Sequence, residues 1–119
     1  MSIGTYNIEA RQGDRLVRTF TYADDFGAAI DLTGYTARMQ VRAQAAAKTT
    51  VLDLDSAALG GLTITAATGT IVLEVSATDM AAITLTSGVY DLELVPPTGE
   101  ADVFTLLEGK WTMDREVTR

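Results

Sequence analysis

Two pairs of carboxylates have the spacing that could bring them together on one face of a sheet. Asp53 and Asp55 stand two residues apart, and so do Asp91 and Glu93. Residues i and i+2 of a strand project from the same face, so each pair would present two carboxylates side by side. Clusters of oxygen ligands bind Ca²⁺, and two carboxyl groups with separated pKa values can hydrolyse a glycosidic bond.

Both kinds of chemistry need residues that the sequence does not supply around these pairs. A calcium site needs about six to eight oxygen ligands, and the loop pattern of an EF-hand does not occur in the sequence. A glycosidase acid needs an apolar pocket that raises its pKa, and no carboxylate here has an apolar setting. We therefore interpret the four residues as solvated strand faces and predict no metal ion and no cofactor.

The chain contains neither histidine nor cysteine, which further limits the reactions that it could catalyse. Histidine is the commonest general base and metal ligand, and a serine–histidine arrangement cannot form without it. Without cysteine there is no thiolate nucleophile and no disulfide. The pair Gly60–Gly61 lacks the lysine and spacing of a phosphate-binding loop. We predict that the protein is not an enzyme.

Charge and hydropathy limit the partners of this 119-residue chain. The net charge is −7, and residues 49–109 contain nine carboxylates but no lysine or arginine. Nucleic-acid binding requires clustered cations, so we expect no nucleic-acid partner. No apolar run approaches the roughly 20 residues of a membrane span, and the N-terminus lacks the pattern of a signal peptide. We therefore expect synthesis in the cytoplasm and no membrane contact.

The elements that must position these residues are organised around residues 88–95. Tyr90, Leu92 and Leu94 alternate there with Asp91 and Glu93, as in a strand with one buried face. Residues 96–99 (Pro-Pro-Thr-Gly) predict a turn, and residues 103–107 predict the second strand of a hairpin. Alternation continues to residue 113, with a bulge predicted at Gly109.

Further short strands are predicted on both sides of this hairpin. Alternation or β-branched content indicates strands at residues 6–11, 15–22, 35–42, 51–55, 62–66 and 71–75. Ser76 and Asp79 predict a capped helical turn over residues 76–82. About eight short strands with frequent turns predict a single all-β domain over residues 1–119, either a sandwich or a barrel.

Several surface residues are candidates for contact with a partner. Arg38 and Arg42 project from the same side of the predicted strand 35–42, either as a solvated face or as a ladder that docks on an acidic partner. The alanine-rich segment 43–47 and the polar tail 114–119 are predicted partner contacts. Trp111 is interpreted as core or strand-edge packing, with a ligand platform as the alternative. The complete set of candidates is Arg38, Arg42, Ala45, Lys48, Trp111, Arg115 and Arg119.

Six segments, in order along the chain, resemble a family of small phage and prophage virion proteins. They are QGD at 12–14, IDLTGYTARMQVR at 30–42, GTI at 69–71, GVYDLEL at 88–94, LLEGK at 106–110 and EVTR at 116–119. The set is similar to the immunoglobulin-like β-sandwich of tail, baseplate and fibre-associated proteins, including the N-terminal domain of baseplate upper proteins.

This resemblance implies an immunoglobulin-like sandwich of antiparallel strands and a structural role in a virion without catalysis. It implies no catalytic residues, because the shared segments are turns, corners and core strands. The expected partners are other virion proteins and further copies of the chain, and the expected location is the virion. Three rival interpretations remain open: a capsid surface protein (head decoration or head fibre), a receptor- or carbohydrate-binding module, and an enzyme.

Overall fold

A computed structural model describes residues 4–24 and 26–115 of the chain, which form two β-sheets packed face to face. The strands are β1 (Gly4–Thr5), β2 (Ile8–Arg11), β3 (Leu16–Thr21), β4 (Thr36–Arg42), β5 (Leu52–Asp55), β6 (Leu62–Thr65), β7 (Thr70–Val75), β8 (Ser87–Val95) and β9 (Phe104–Asp114). The larger sheet has the order β1-β9-β8-β4-β5, with β2 also paired to β9. The smaller sheet has the order β3-β7-β6.

Alternating apolar residues from both sheets form the core between them. In β8, for example, Tyr90, Leu92 and Leu94 are all buried, while Asp91 between them is exposed. Such alternation lets one face of each sheet lose water contact while the other stays hydrated. The strand β8 lies between β9 and β4, so the predicted central segment, residues 88–95, lies in the middle of the larger sheet.

The division of strands between the sheets is that of an immunoglobulin-like domain. One sheet contains β3, β6 and β7, and the other contains β4, β5, β8 and β9. The short strands β1 and β2 run parallel to β9 at the edge of this second sheet. Two antiparallel sheets with this partition define the immunoglobulin-like sandwich. The predicted fold class is therefore confirmed.

Three details of the predicted strands differ from the structure. The described residues contain nine strands, and two of these, β1 and β2, pair in parallel with β9. The last two strands are long, with nine and eleven residues. The irregularity of the β8–β9 hairpin lies between Leu92 and Glu93, where the register shifts, and Gly109 is regularly paired with Tyr90. The prediction of a bulge at Gly109 was therefore wrong.

The predicted helical turn is present as α1 (Ala77–Ala82), which crosses from β7 to β8. The Ser76 hydroxyl caps it by accepting a hydrogen bond from the Asp79 amide at 3.2 Å, and Met80 anchors it in the core with no exposed surface. The side-chain amide of Gln12 donates a hydrogen bond to the Ile83 carbonyl at 2.9 Å, which ties the end of this helix to the turn after β2. Single 3₁₀ turns occupy Ala66–Thr68 and Glu100–Asp102.

Candidate interaction surface

The face of the larger sheet that points away from the core, here called the outer face, carries the polar residues of four neighbouring strands. Strand register aligns these residues in rows across the sheet. The cationic row consists of Arg42, Val89 and Lys110, from β4, β8 and β9. The acidic row beside it consists of Gln40, Asp91 and Glu108 from the same three strands. Asp53 of β5 extends the acidic row opposite Gln40.

Arg38 lies on the outer face, as predicted, but its charge is compensated within the chain. The guanidinium contacts Glu93 at 2.7 Å and Glu100 at 2.6 Å, which links β4 to β8 and to the 3₁₀ turn before β9. The hydrogen bond with Glu93 is the larger cause, and that with Glu100 the second, of a pKa of Arg38 above its ordinary value. Arg38 is thus part of an internal network, which reduces its availability to an acidic partner.

Arg42 is also held by neighbours on its own sheet. It donates one hydrogen bond to the Ala47 carbonyl at 2.7 Å and another to the Gln40 side chain at 2.9 Å. Both acceptors are neutral, so the positive charge of Arg42 remains available to a partner. The contact with Ala47 also fixes the first half of the loop between β4 and β5, which has turns and bends and no strand, as predicted.

The two carboxylates of the acidic row stand directly opposite each other. Asp91 and Glu108 are register partners on β8 and β9, and neither forms an ion pair with another described residue. The pKa of Asp91 is raised, chiefly by partial burial and then by the charges of Glu93 and Glu108, while Arg38 and Arg42 oppose the shift. Like charges in directly opposed positions destabilise a sheet, so this pair lowers stability in the isolated chain.

A groove of about 470 Å³ lies across both rows. Its floor is formed by β8 and β9, and the exposed Ala45 of the β4–β5 loop lines it together with Thr5 and Asn7 of the N-terminal segment. Val89 supplies an apolar surface between the two cations of its row. The groove therefore combines apolar surface with charges of both signs.

One wall of the groove is formed by the N-terminal segment where β1 ends and β2 has not yet begun, at residues 6–7; this interruption is here called the break between β1 and β2. At this break the Tyr90 hydroxyl donates a hydrogen bond to the Tyr6 carbonyl, and the Lys110 amide donates to the Asn7 side-chain oxygen at 3.1 Å. The Tyr6 ring packs edge-on against Phe20 of the smaller sheet, with centroids 5.3 Å apart. Only glycine fits at position 109, because a Cβ there would collide with the Tyr6 carbonyl oxygen.

The structure places the predicted contact residues in several different parts of the molecule. Arg42 and Ala45 line the groove, and Arg38 lies on the same face outside it. Lys48 is exposed in the β4–β5 loop, and Arg115 is exposed just after β9. Arg119 lies outside the described residues. Sequence analysis missed Val89, Glu108, Lys110 and Asn7, because only the pairing register shows that they meet Arg42 and Asp91.

The prediction of Trp111 as a contact residue is corrected by its burial. Its side chain has no exposed surface and packs in the core, as the first interpretation held, so it cannot serve as a ligand platform in this fold. The ring faces inward because Trp111 alternates with the exposed Lys110 and Thr112 along β9. Its Nε1 has no hydrogen-bond partner among the described residues.

One carboxylate of each pair that suggested chemistry is engaged by neighbouring residues of the chain. The Asp55 carboxylate accepts hydrogen bonds from the amides of Ala57 and Leu59 at 2.8 and 3.0 Å, and Glu93 pairs with Arg38. Within residues 4–24 and 26–115, no three acidic side chains are grouped as a metal site would require. No helix in this part of the chain has the length and hydropathy to cross a bilayer.

Comparison with known proteins gives similar folds only. No protein-family model matches the sequence, and no curated protein matches it. Similar solved structures include the extracellular domain of the voltage-gated sodium channel beta4 subunit, with 12% identity, a TM-score of 0.46 and coverage of 98% of each chain. A second structure of sodium-channel beta subunits has 12% identity, a TM-score of 0.43 and coverage of 98% of this chain and 96% of the other. Tim-1 has 14% identity, a TM-score of 0.41 and coverage of 100% and 97%.

Proposed function

We propose that this chain is a non-catalytic assembly module that binds other proteins through the outer face of its larger sheet, as a structural component of a phage or prophage particle. The particle is inferred from the six sequence segments that resemble virion proteins. The role of the outer face is inferred from its geometry. Tail, baseplate and fibre attachment are the favoured positions, and the capsid surface is the alternative.

One observation carries the assembly role: the charged residues of the acidic and cationic rows form no ion pair with a described residue. Glu108 and Lys110 are exposed and form no ion pair with a described residue, and Asp91 stands opposite Glu108. Opposed like charges cost stability, and a partner of complementary charge removes this cost on binding. The arrangement therefore favours a bound state over the free chain.

The rival carbohydrate- or receptor-binding module has less support. Such a module would present clustered aromatic rings, and Trp111 is buried. Among the described aromatic residues, Phe26 is 95% exposed and Tyr6 is 38% exposed. Phe26 lies in the loop between β3 and β4, whereas Tyr6 lies between β1 and β2, so no cluster of exposed rings on one face supports this function.

The test begins with immunogold labelling of intact particles of the phage or prophage that encodes the chain. Label at the tail end supports the tail, baseplate or fibre position. Label over the head selects the capsid alternative. Particles that contain the other virion proteins but carry no label, and no chain by immunoblot, would overturn the proposal.

Incorporation of variants tests the role of the outer face separately. Val89→Arg places a bulky charge in the groove, and Thr63→Arg makes a similar change on the outward side of the smaller sheet. We expect Val89→Arg to reduce the amount of chain in purified particles at least about tenfold, because the bulky side chain fills the groove and adds a third cation beside Arg42 and Lys110. Equal incorporation of the two variants would refute a role for this face.

A further inference from the structure

We infer that two copies of this chain pair through their outer faces about a two-fold axis that lies in the interface, perpendicular to the strands. In this pair the cationic row of each copy covers the acidic row of the other. The inference rests on the proposed assembly role and names a second copy as the occupant of the face. It follows from the order of the rows along the strands.

The two rows differ in charge and are neighbours along the strands. Lys110 and Glu108 are two residues apart on β9, and Arg42 and Gln40 are two residues apart on β4. Residues i and i+2 of a strand are about 7 Å apart, so the rows run side by side across the sheet at that distance. The charge of the outer face thus changes from positive to negative over two residues along the strand direction.

Such a pattern is complementary to itself under one symmetry operation. A two-fold axis that is perpendicular to the strands and lies midway between the two rows reverses the strand direction in the second copy and keeps the strand order, so opposite rows face each other. An axis parallel to the strands would place cations on cations. The charges therefore select the first axis and disfavour the second.

The first axis pairs residues on the same strand of the two copies. Lys110 of each copy faces Glu108 of the other, which gives two identical ion pairs across the interface. Asp91 faces Val89 of the second copy, on either side of which stand Arg42 and Lys110. Asp91, which forms no ion pair with a described residue of its own chain, thereby lies between two cations of the second copy.

Size and charge of the face set the expected affinity. Four strands spaced about 4.8 Å and seven residues at about 3.4 Å give a face of roughly 19 by 24 Å. This area is smaller than the roughly 800 Å² per partner of a standard interface, and two chains of net charge −7 repel each other at long range. We expect a weak dimer with a dissociation constant in the micromolar range.

Charge exchange on β9 tests this arrangement. Lys110→Glu places glutamate opposite glutamate in the dimer, and Glu108→Lys places lysine opposite lysine. Sedimentation analysis in physiological salt, at concentrations into the millimolar range, should show that each variant weakens self-association at least about tenfold. The double variant K110E/E108K restores both ion pairs with exchanged signs and should dimerise nearly as well as the unaltered chain.

Mixing the two single variants gives a sharper result. In the mixed dimer the introduced glutamate of one copy meets the introduced lysine of the other, and the retained Glu108 meets the retained Lys110, so both contacts are attractive. We expect the mixture to form a one-to-one dimer under conditions in which each variant alone is monomeric. Arg15→Glu and Glu74→Lys, which make the same changes of charge at an exposed ion pair of the smaller sheet, serve as matched controls and should leave self-association within twofold.

Three outcomes would overturn the inference. A chain that remains monomeric at millimolar concentration does not pair in this way. Single variants that dimerise as well as the unaltered chain, or controls that weaken association equally, would show that the two rows do not form the contact. Particle labelling does not depend on self-association, so the proposed function could stand while this inference fails.

Discussion

The hydroxyl of Tyr90 donates a hydrogen bond to the backbone carbonyl of Tyr6, across 84 positions of sequence. The bond joins the central strand β8 to the break between β1 and β2 at the edge of the groove. Tyr90 is buried, so the bond lies where water competes little, and an unpaired carbonyl there would be unfavourable. The bond therefore helps to hold the N-terminal segment on the larger sheet.

Replacing Tyr90 with phenylalanine should lower the free energy of unfolding by about 1–2 kcal/mol, because the Tyr6 carbonyl loses its hydroxyl donor. Urea denaturation followed by fluorescence of the buried Trp111, the single tryptophan, measures this change. Tyr6→Phe is the matched control, since its own hydroxyl forms no hydrogen bond with a described residue. Equal effects of the two substitutions would show that the Tyr90 hydroxyl has no special role.

Stability should also fall as the pH rises from 10 to 12. Burial raises the pKa of Tyr90 from its ordinary value of 10.0 to about 12, so the unfolded chain loses this proton first. The unfolded state then binds fewer protons than the folded state, and the free energy of unfolding decreases with pH in this range. Tyr90→Phe should have a shallower decrease than the unaltered chain. The part that remains comes from Tyr22, whose pKa is also raised by burial.

Alternation in the sequence was sufficient to locate the strands and the core of this fold. Residues 36–42 and 87–95 form strands within one or two positions of the prediction, because a two-residue period directly reports which side chains face the core. The capped turn at Ser76 was likewise predictable, since capping depends on residues close in sequence. Local sequence patterns thus predicted the features that depend on residues close in sequence, namely the strand positions, the core and the helix cap.

Local sequence patterns did not predict which strands pair with each other or that a groove forms on the outer face. The same alternation suits a strand in parallel or antiparallel pairing, so the parallel contact of β2 with β9 was not foreseen. Gly109 was interpreted as a bulge, whereas it is required because the Tyr6 carbonyl approaches its Cα from a distant part of the chain. The outward direction of Arg38 was predicted, but its pairing with Glu100 depends on tertiary structure.

Removal of the charge of Asp91 should stabilise the isolated chain at neutral pH. Partial burial and the neighbouring Glu93 and Glu108 raise the pKa of Asp91, so its charged form is unfavourable in the folded state. Asp91→Asn should raise the free energy of unfolding by about 0.2–1 kcal/mol at pH 7, the usual range for a cross-strand pair. Measurements on dilute, monomeric protein avoid any contribution from self-association.

The advantage of Asp91→Asn should shrink as the pH falls. Below the raised pKa the folded chain binds a proton at Asp91 before the unfolded chain does, so the unaltered protein gains stability relative to the variant. Asp53→Asn, a change of the same type in the same row, is the control. A stabilisation by Asp53→Asn as large as that by Asp91→Asn would argue against a specific clash at Asp91.

Gly109→Ala should displace the N-terminal segment, because the new Cβ would collide with the Tyr6 carbonyl oxygen and lie 2.8 Å from its carbonyl carbon. Backbone cannot move aside as a side chain can, so we expect a loss of about 2 kcal/mol or more in the free energy of unfolding. Gly4→Ala is the matched control. Its Cβ would collide with the Cδ2 atom at the end of the Leu107 side chain, at 2.8 Å, which can rotate away at small cost, and the Leu106 carbonyl oxygen at 3.5 Å is at an ordinary contact distance.

The two sites at this contact should not act independently. If Gly109→Ala moves the Tyr6 carbonyl away from Tyr90, the hydrogen bond is already lost, and adding Tyr90→Phe should cost less than about 0.5 kcal/mol further. In the Gly4→Ala background, Tyr90→Phe should retain its full effect. Additive losses in the Gly109→Ala background would mean that the segment holds its place despite the added methyl group, and that the close approach at Gly109 does not govern the position of Tyr6.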